Sequence, residues 1–247
     1  LTLNVKSGNG NHQISVTATT STNEDERKAI LTVKGVTKSE RILIKQDGTP
    51  TNLTLNTTSL TFDALGATKV IELSGDATWT ASASEEWVKL DQLHGTGTYP
   101  LQVTCDDNTT MASRSADVTI RTRRDTYVCT IVQAAGQLPQ VNGIQALSIG
   151  RYEVSVTAKF SSDFPVTEYG FCYSEDHQMP TTVDSKIKVT TQSDGTFTTT
   201  ISGLDSHKTY YIRAYAVNKV GTNYSSVLEV TTEGGVPDNG DNQKPNI

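Results

Sequence analysis

The chain contains an internal repeat with a spacing of 87 residues, and a repeat of domain length restricts the fold to a unit that recurs along the chain. Residues 1–46 align without gaps on residues 88–133, and 11 of these 46 positions are identical. The identical pairs include Leu3 with Leu90, Gly8 with Gly95, Gly10 with Gly97, Val16 with Val103, Thr17 with Thr104, Arg27 with Arg114, Ala29 with Ala116, Thr32 with Thr119, Ile44 with Ile131 and Gln46 with Gln133. The two segments are therefore predicted to share one fold.

The first copy lacks a counterpart of residues 53–87. In the alignment, Trp87 falls on the position before Leu1. We therefore expect residues 1–48 to be the C-terminal half of a domain that is truncated at its N-terminus, because half a sandwich leaves strand edges and core exposed. A swapped or borrowed strand is the other way to complete it. Residues 52–136 are expected to form the complete copy.

The repeat is rich in residue types that favour β-strands. Thr- and Val-rich runs such as "ISVTATT", "NLTLNTTSLTF" and "FTTTISG" fit a pleated surface, and turn residues separate them. No run of 12 residues has a helical period. With 35% hydrophobic and 6% aromatic residues, the composition suits several small sandwiches better than one large core. An all-β fold of tandem sandwiches is predicted.

The complete copy carries a recognisable order of residues. Trp79 and Trp87 are followed by "GTG", by a stretch from Asn108 to Arg114 that leads into "ADVTI", and by a closing "IVQ" with Gly136. This pattern resembles the BACON domain, the Bacteroidetes-associated carbohydrate-binding, often N-terminal module. The resemblance covers residues 52–136 in full and residues 1–48 as the C-terminal half. It implies a bacterial cell-surface protein and a role in carbohydrate binding.

Residues 141–233 have a different character, and the stretch "LDSHKTYYIRAYAVNKVGTNYSS" is diagnostic. Leu204 precedes Tyr210 by six residues, and apolar residues then alternate up to Ala216. This stretch resembles the tyrosine corner of fibronectin type III domains, although Ser206 and Lys208 stand where that family has Pro and Thr. The resemblance implies tandem immunoglobulin-like β-sandwiches. The Gly/Asn/Asp-rich residues 234–247 are predicted to be a disordered linker or tail.

Charge and hydropathy exclude two classes of partner. The net charge is −6 and the pI is about 5.2, which disfavours a phosphate backbone as ligand. The short basic run of Arg121, Arg123 and Arg124 is predicted to be a solvated hairpin turn. No stretch approaches the roughly 18 apolar residues that a membrane-spanning helix needs. We therefore expect neither nucleic-acid binding nor a transmembrane span in this chain.

The residues that usually carry catalysis or metal binding are scattered. The four histidines have no metal-type spacing, and no nucleophile or phosphate-loop motif is present. Cys105 and Cys129 are replaced by Ala18 and Ile42 in the first copy, which favours small buried apolar positions. A disulfide between these two cysteines in an oxidising compartment is the alternative. We expect no enzyme activity, no metal site and no cofactor.

Carbohydrate sites combine an aromatic face with flanking polar side chains, and two regions of the sequence offer such a set. The first comprises Trp79, Trp87 and Tyr99. A core position is the favoured interpretation of the two tryptophans, and an ordinary position at the start of a strand is the alternative for Tyr99. The second is the row Tyr211, Arg213 and Tyr215, which strand alternation places outside while Tyr210 and Ile212 face inward. The row can receive Tyr169, Phe171 or Tyr173 from the neighbouring strand. Cross-strand packing on an exposed sheet face is the favoured interpretation of this row.

Two functions follow, and one observation separates them. The first is a non-catalytic surface module that binds polysaccharide or mucin glycan or acts in adhesion, with glycans or surface proteins as partners. The second is a spacer that projects another domain from the cell surface. A binder should expose two or more rings on one patch, whereas a spacer should expose none. By resemblance, both functions place a monomer outside the cell, lipid-anchored through a segment not contained in this sequence.

Overall fold

The computed structural model describes residues 1–21, 25–49 and 51–234, and this part of the chain consists of strands, turns and loops. The all-β prediction is confirmed, since no helix occurs among these residues. Accordingly, none of the described segments forms a helix of the length and hydropathy that crossing a membrane requires.

The first repeat contains two antiparallel strand pairs. Its strands are β1 (Thr2–Leu3), β2 (Val16–Thr17), β3 (Arg27–Lys34) and β4 (Ser39–Gln46). β1 pairs with β2, and β3 pairs with β4 along all eight residues of each strand.

The second repeat is a two-sheet sandwich. Its strands are β5 (Leu53–Leu55), β6 (Ser59–Phe62), β7 (Thr68–Gly75), β8 (Thr78–Ala83), β9 (Val88–Leu90), β10 (His94–Thr96), β11 (Tyr99–Cys105), β12 (Arg114–Arg121) and β13 (Thr126–Gln133). One sheet has the order β10-β8-β12-β13-β6 and the other β5-β7-β11-β9. Their inner faces share one core around Trp79, Ile71 and Val118.

Pairing register confirms the 87-residue repeat. Leu3 pairs with Val16 as Leu90 pairs with Val103, and Arg27 pairs with Gln46 as Arg114 pairs with Gln133. The side chains repeat as well, because each arginine Nε donates to the paired glutamine Oε1, at 2.8 Å in the first copy and 2.9 Å in the second. The first repeat therefore has the same local structure as β9, β11, β12 and β13.

The third group of strands forms another sandwich. Its strands are β14 (Gln140–Ile149), β15 (Glu153–Ser161), β16 (Glu168–Ser174), β17 (Ser185–Lys188), β18 (Thr196–Ser202), β19 (Thr209–Val217), β20 (Thr222–Tyr224) and β21 (Leu228–Thr231). One sheet is β14-β15-β18, and the other joins β17, β16 and β19, with β20 and β21 both on β19. The core includes Phe171, Ile201 and Ile212.

The tyrosine corner predicted for this sandwich is present. Leu204 and Tyr210 are both buried, and the Asp205 N–H donates to the Tyr210 hydroxyl oxygen at 3.0 Å. This contact ties the crossing loop to the start of β19, as in immunoglobulin-like sandwiches. It fixes which residues of β19 face inward.

Two smaller predictions fall on loops. The turn prediction for the basic run is confirmed, because β12 ends at Arg121 and β13 begins at Thr126. Within this turn, Arg123 forms an ion pair with Asp25 of the first repeat. The predicted tail, from residue 235 onward, lies outside the described residues and stays a prediction.

Candidate functional site

The row Tyr211, Arg213 and Tyr215 lies on one face of β19, but its cross-strand neighbours differ from those expected. Register places Tyr215 opposite Gly170 of β16, and Arg213 opposite Cys172. The prediction that Tyr169, Phe171 or Tyr173 joins the row is wrong, because these rings face the core of the sandwich on the alternate positions of β16. The row therefore lacks the extra rings that would widen it.

Tyr215 is buried, which corrects its expected outward exposure. Its hydroxyl donates to Glu168 Oε1 at 2.9 Å, and Lys186 Nζ lies 5.9 Å from the ring centroid. Burial, followed by the hydrogen bond to Glu168, raises the pKa of the Tyr215 phenol above its ordinary value. A ring covered in this way offers no face to a sugar.

The guanidinium group of Arg213 donates hydrogen bonds to carbonyl groups of the protein itself. Its Nε donates to the Ser225 carbonyl at 3.0 Å and one terminal nitrogen to the Pro180 carbonyl at 3.4 Å. Its guanidinium lies 4.6 Å from the ring centroid of Tyr224, whose hydroxyl accepts from the Thr182 N–H at 3.2 Å. The loop of residues 175–184 thus lies over this part of the sheet, and its Pro180 carbonyl accepts a hydrogen bond from the Arg213 guanidinium.

Tyr211 is the ring of the row that keeps partial exposure. Its hydroxyl accepts from Gln178 Nε2 at 3.5 Å, and the ring is half-buried. One half-buried ring beside an amide can take part in hydrogen bonding to a hydroxyl-rich ligand. It does not make the two-ring patch that the sequence suggested.

Glu168 is held by two lysines, which gives the third sandwich an acid-sensitive contact. Lys188 Nζ lies 2.5 Å from Glu168 Oε2 and Lys186 Nζ 3.3 Å from Oε1. The hydrogen bond from Lys188, aided by those of Tyr215 and Lys186, lowers the pKa of Glu168 to about 2 from an ordinary 4.5.

Because this pKa is depressed in the folded state, its stabilisation is present above pH 4.5 and is lost as the pH falls toward 2. We expect Glu168→Gln to destabilise the third sandwich at pH 6 and to differ progressively less from the parent as the pH falls. Urea midpoints of both proteins between pH 6 and pH 2.5 measure this. A difference that does not change with pH would contradict the assignment.

Trp79 and Tyr99 belong to the core of the second sandwich. Trp79 is 1% exposed, and its Nε1 donates to the Gly97 carbonyl at 3.1 Å. Tyr99 packs 5.6 Å from the Trp79 ring, centroid to centroid, and its hydroxyl donates to Asp91 Oδ2 at 2.8 Å. The core interpretation of Trp79 agrees with this burial, and its candidacy as a ligand contact does not.

The sequence favoured a core position for Trp87, but the structure places this ring beside a surface depression. This shallow depression is open to solvent and is lined by Ser84, Glu85, Glu86, Trp87, Lys89 and Asp106. The Arg114 guanidinium lies 4.2 Å from the centroid of the half-buried Trp87 ring, and Lys89 pairs with Asp106 at 2.5 Å. Carboxylates and an ammonium group around a ring can bind hydroxyl groups. The charged flanks of Trp87 in "SEEWVK" are the sequence signal that could have indicated it.

Aromatic exposure over the whole chain is low. All sixteen Phe, Tyr and Trp residues lie in the described ranges, and Tyr152, at 53%, is the one that is exposed rather than half-buried or buried. Tyr152 sits in the turn between β14 and β15. No pair of exposed rings is therefore available among these residues to form a stacking platform.

The cysteines and the other ligating side chains show no assembled centre. Cys105, Cys129 and Cys172 are buried and unpaired, and burial raises the pKa of each thiol to about 11. The Cys105–Cys129 disulfide considered from the sequence is thus absent from this structure. No group of three or more His, Cys, Asp or Glu side chains close enough to hold a metal occurs in the described part of the chain.

Comparison with known families matches segments of both repeats to a single family model. The model of the BACON family, described as "Putative binding domain, N-terminal", matches residues 1–47 and 77–134. The resemblance derived from the tryptophans, the glycine turn and the closing strand is confirmed for these two segments.

Relatives and solved structures cover parts of the chain. The xyloglucan-specific endo-beta-1,4-glucanase BoGH5A of Bacteroides ovatus is 37% identical over 62 residues, which are 25% of this chain and 12% of the glucanase. The chain thus spans about an eighth of that relative. A structure of the Bacteroides ovatus GH5 xyloglucanase with a XXXG heptasaccharide is 28% identical over 35% of this chain and 20% of that one, with a TM-score of 0.34. The chicken CNTN1 FN1-FN3 domains are 14% identical over 84% and 77%, with a TM-score of 0.34.

Proposed function

We propose that this chain is a non-catalytic spacer in a bacterial surface protein that handles polysaccharide or mucin glycans. The proposed units are residues 1–48, 52–136 and 141–233, with residues 234–247 as a linker. The proposed location is the outer cell surface, with a lipid anchor on a segment outside this sequence and the chain as a monomer. The glycan context rests on the match of both repeats to the BACON family.

The observation that carries the spacer function is the near absence of exposed rings. Carbohydrate sites combine an accessible aromatic face with flanking polar side chains, and Tyr152 alone among the sixteen rings is exposed. In the row on β19, Tyr215 is already hydrogen-bonded to Glu168, and Arg213 to the carbonyls of Pro180 and Ser225. The favoured role of this row is cross-strand packing.

The junction between the second and third sandwiches supports the same function. Lys219 forms an ion pair with Asp107 across the junction. The amide of Asn218 donates to the Gln137 carbonyl at 2.9 Å, and the amide of Asn223 donates to the Pro139 carbonyl at 2.8 Å. The connecting residues 137–139 are thus held by the third sandwich, and a short, held connection limits bending between the two units.

Gly136 lies at the centre of this junction, and a substitution there tests whether the junction is rigid. A Cβ at this position would lie 2.6 Å from the Asn108 carbonyl oxygen and 2.9 Å from Val220 Cγ2. We expect the two sandwiches of the parent chain to share one alignment tensor in residual dipolar couplings, and Gly136→Ala to separate the two tensors. Gly35→Ala is the matched control, because the nearest atom to its Cβ is 3.5 Å away. Independent tensors in the parent would contradict a rigid spacer.

Glycan binding at the Trp87 depression is the second candidate function. It is favoured by the open depression beside an indole, within a segment that matches a family described as a binding domain. The ligand would be a hydroxyl-rich sugar that hydrogen-bonds to Glu85, Glu86 and Lys89. Stacking on Trp87 is not available to it, because the Arg114 guanidinium already covers that ring.

A glycan array probed with the multimerised chain separates the two functions, because multimerisation reveals weak binding through avidity. We expect a blank array, as the exposed surface offers no stacking platform. Binding to a coherent set of glycans that Trp87→Ala loses and Tyr211→Ala retains would contradict the spacer function and support the second candidate. Binding that Tyr211→Ala loses would instead locate a sugar site on the third sandwich.

A further inference from the structure

The β3–β4 hairpin concentrates positive charge in a chain that is acidic elsewhere. Residues 27–46 contain one carboxylate, Glu40, and six cations: Arg27, Lys28, Lys34, Lys38, Arg41 and Lys45. The formal charge of this segment is therefore +5, while the whole chain carries −6 and the remaining residues carry −11. The equivalent residues 114–133 of the second repeat contain four cations and two carboxylates, a formal charge of +2. Most of the excess is thus particular to the first repeat.

Four of these cations lie on the outer face of the hairpin, around two exposed apolar side chains. Ile30 is 53% exposed and Leu43 is 54% exposed. Pairing register sets four cross-strand rows on this face: Lys28 with Lys45, Ile30 with Leu43, Thr32 with Arg41, and Lys34 with Ser39. These eight residues, together with Lys38 of the connecting turn, are called the basic face below.

The same face points to solvent in the complete sandwich of the second repeat. The counterparts of Ile30 and Leu43 are Asp117 and Thr130, which lie on the outer face of β12 and β13 and bond to each other at 3.0 Å. Three of the four cations stand where the second repeat has exposed uncharged residues, which are Ser115, Val128 and Val132. The first repeat therefore replaces a polar surface pair with an apolar pair and surrounds it with cations.

Part of this charge has no partner among the described residues. Glu26 lies 2.8 Å from Lys28 Nζ and 3.8 Å from Lys45 Nζ, which relieves the repulsion between these two directly opposed lysines. Lys34, Lys38 and Arg41 form no ion pair in the part of the chain that the structure describes, and all three are exposed. Three cations and two aliphatic side chains are thus available to a partner.

We propose that the basic face binds the anionic headgroup surface of a lipid bilayer. Lysine and arginine side chains are attracted to such a surface, and each one that lies near it strengthens the binding. Aliphatic side chains on the same face leave water for the boundary between headgroups and acyl chains. The face then lies flat on the bilayer, with Ile30 and Leu43 toward the acyl chains. This contact goes beyond the spacer function and does not depend on it.

A linear polyanion, such as a nucleic acid or a polyuronate, matches this face less well. Lys28 and Lys34 are about 20 Å apart along β3, and Arg41 lies on the neighbouring strand, so the cations form a two-dimensional array. A linear chain contacts one line of this array and gains little from Ile30 and Leu43. A bilayer surface extends in two dimensions and has an apolar layer beneath its charges.

Co-sedimentation of the full chain with large unilamellar vesicles tests the proposal. We expect binding to vesicles of equal parts phosphatidylcholine and phosphatidylglycerol, and none to vesicles of phosphatidylcholine alone. Binding should weaken as the ionic strength rises, because salt screens exposed charges. Hydrogen exchange of β3 and β4 checks that each variant keeps the hairpin.

Variants that carry residues of the second repeat separate charge from apolar contact. Arg41→Val/Lys45→Val installs the residues found at positions 128 and 132 and makes the face more apolar. It should still lower the partition coefficient about tenfold or more, because two cations are lost. Ile30→Thr/Leu43→Thr keeps the charge and should also weaken binding. The matched control is Arg121→Ser/Arg124→Ser, which removes two cations from the equivalent hairpin of the second repeat and should bind as the parent does.

Four results would overturn the proposal. Equal binding to both kinds of vesicle would mean that charge plays no part. Unchanged binding of Arg41→Val/Lys45→Val would mean that the basic face is not the contact. An equal loss in Arg121→Ser/Arg124→Ser would place the contact on the second sandwich. Binding to a soluble polyuronate that Arg41→Val/Lys45→Val loses, with none to vesicles, would assign the face to a polyanion.

Discussion

Trp79→Ala should unfold the second sandwich at far lower denaturant than the parent chain. The ring is 1% exposed at the centre of the core, and truncation of a buried Trp costs about 3–5 kcal/mol. The loss of its hydrogen bond leaves the Gly97 carbonyl without the indole donor, which adds about 1 kcal/mol. A loss of this size is a large part of the stability of one small domain.

Guanidinium titration followed by tryptophan fluorescence measures this effect in one unit, since both tryptophans of the chain lie in the second sandwich. Trp87→Ala is the matched control. Its ring is half-buried and covered by Arg114, so we expect a smaller loss, in the range of about 1–2 kcal/mol that is usual for point mutants. Equal losses for the two variants would contradict the assignment of Trp79 as the core anchor.

Tyr215→Ala should destabilise the third sandwich by about 3–5 kcal/mol, the range for truncating a large buried ring. Its side chain is 0% exposed, and its hydroxyl is bonded to Glu168 at 2.9 Å. Tyr215→Phe keeps the ring and removes the hydroxyl, so its cost should be about 1 kcal/mol. Hydrogen exchange of β16 and β19 reports on this sandwich, which contains no tryptophan.

Tyr211→Ala is the control on the same face of the same strand. The ring is half-buried, so the free energy of unfolding should fall by about 1 kcal/mol. Small and equal losses for Tyr211→Ala and Tyr215→Ala would mean that Tyr215 is exposed, as strand alternation alone suggested. This difference matters for binding assays. A loss of glycan binding in Tyr215→Ala would reflect unfolding of the sandwich and would not show that Tyr215 contacts the glycan.

Several features of the fold could be predicted because they depend on local residue order. The repeat appears as identical register in both copies, down to the Arg27–Gln46 and Arg114–Gln133 pairs. The inward faces of Tyr210, Ile212 and Ala214 followed from the period of two that any strand imposes on its side chains. Turn residues likewise marked the hairpin after Arg121.

The candidate site could not be predicted in the same way. Alternation assigns Tyr215 to the outer face of β19, but it carries no information on what lies over that face. The loop contacts Arg213 through Pro180 and Tyr224 through Thr182, across sequence separations of 33 and 42 residues. The Trp87 depression also depends on Asp106, which strand pairing within one sheet brings beside Trp87, and on Arg114, which comes from the other sheet.

By itself, the sequence determined the strand-forming runs, the repeat and the inner faces of the strands, because these follow from residue type and order along the chain. Only the tertiary structure decided which rings remain accessible, that the three thiols stay apart, and that Asp107 and Lys219 join two sandwiches. Burial and pairing of this kind depend on segments far apart in the chain. Their positions are set by the packing of whole sheets and by no local pattern.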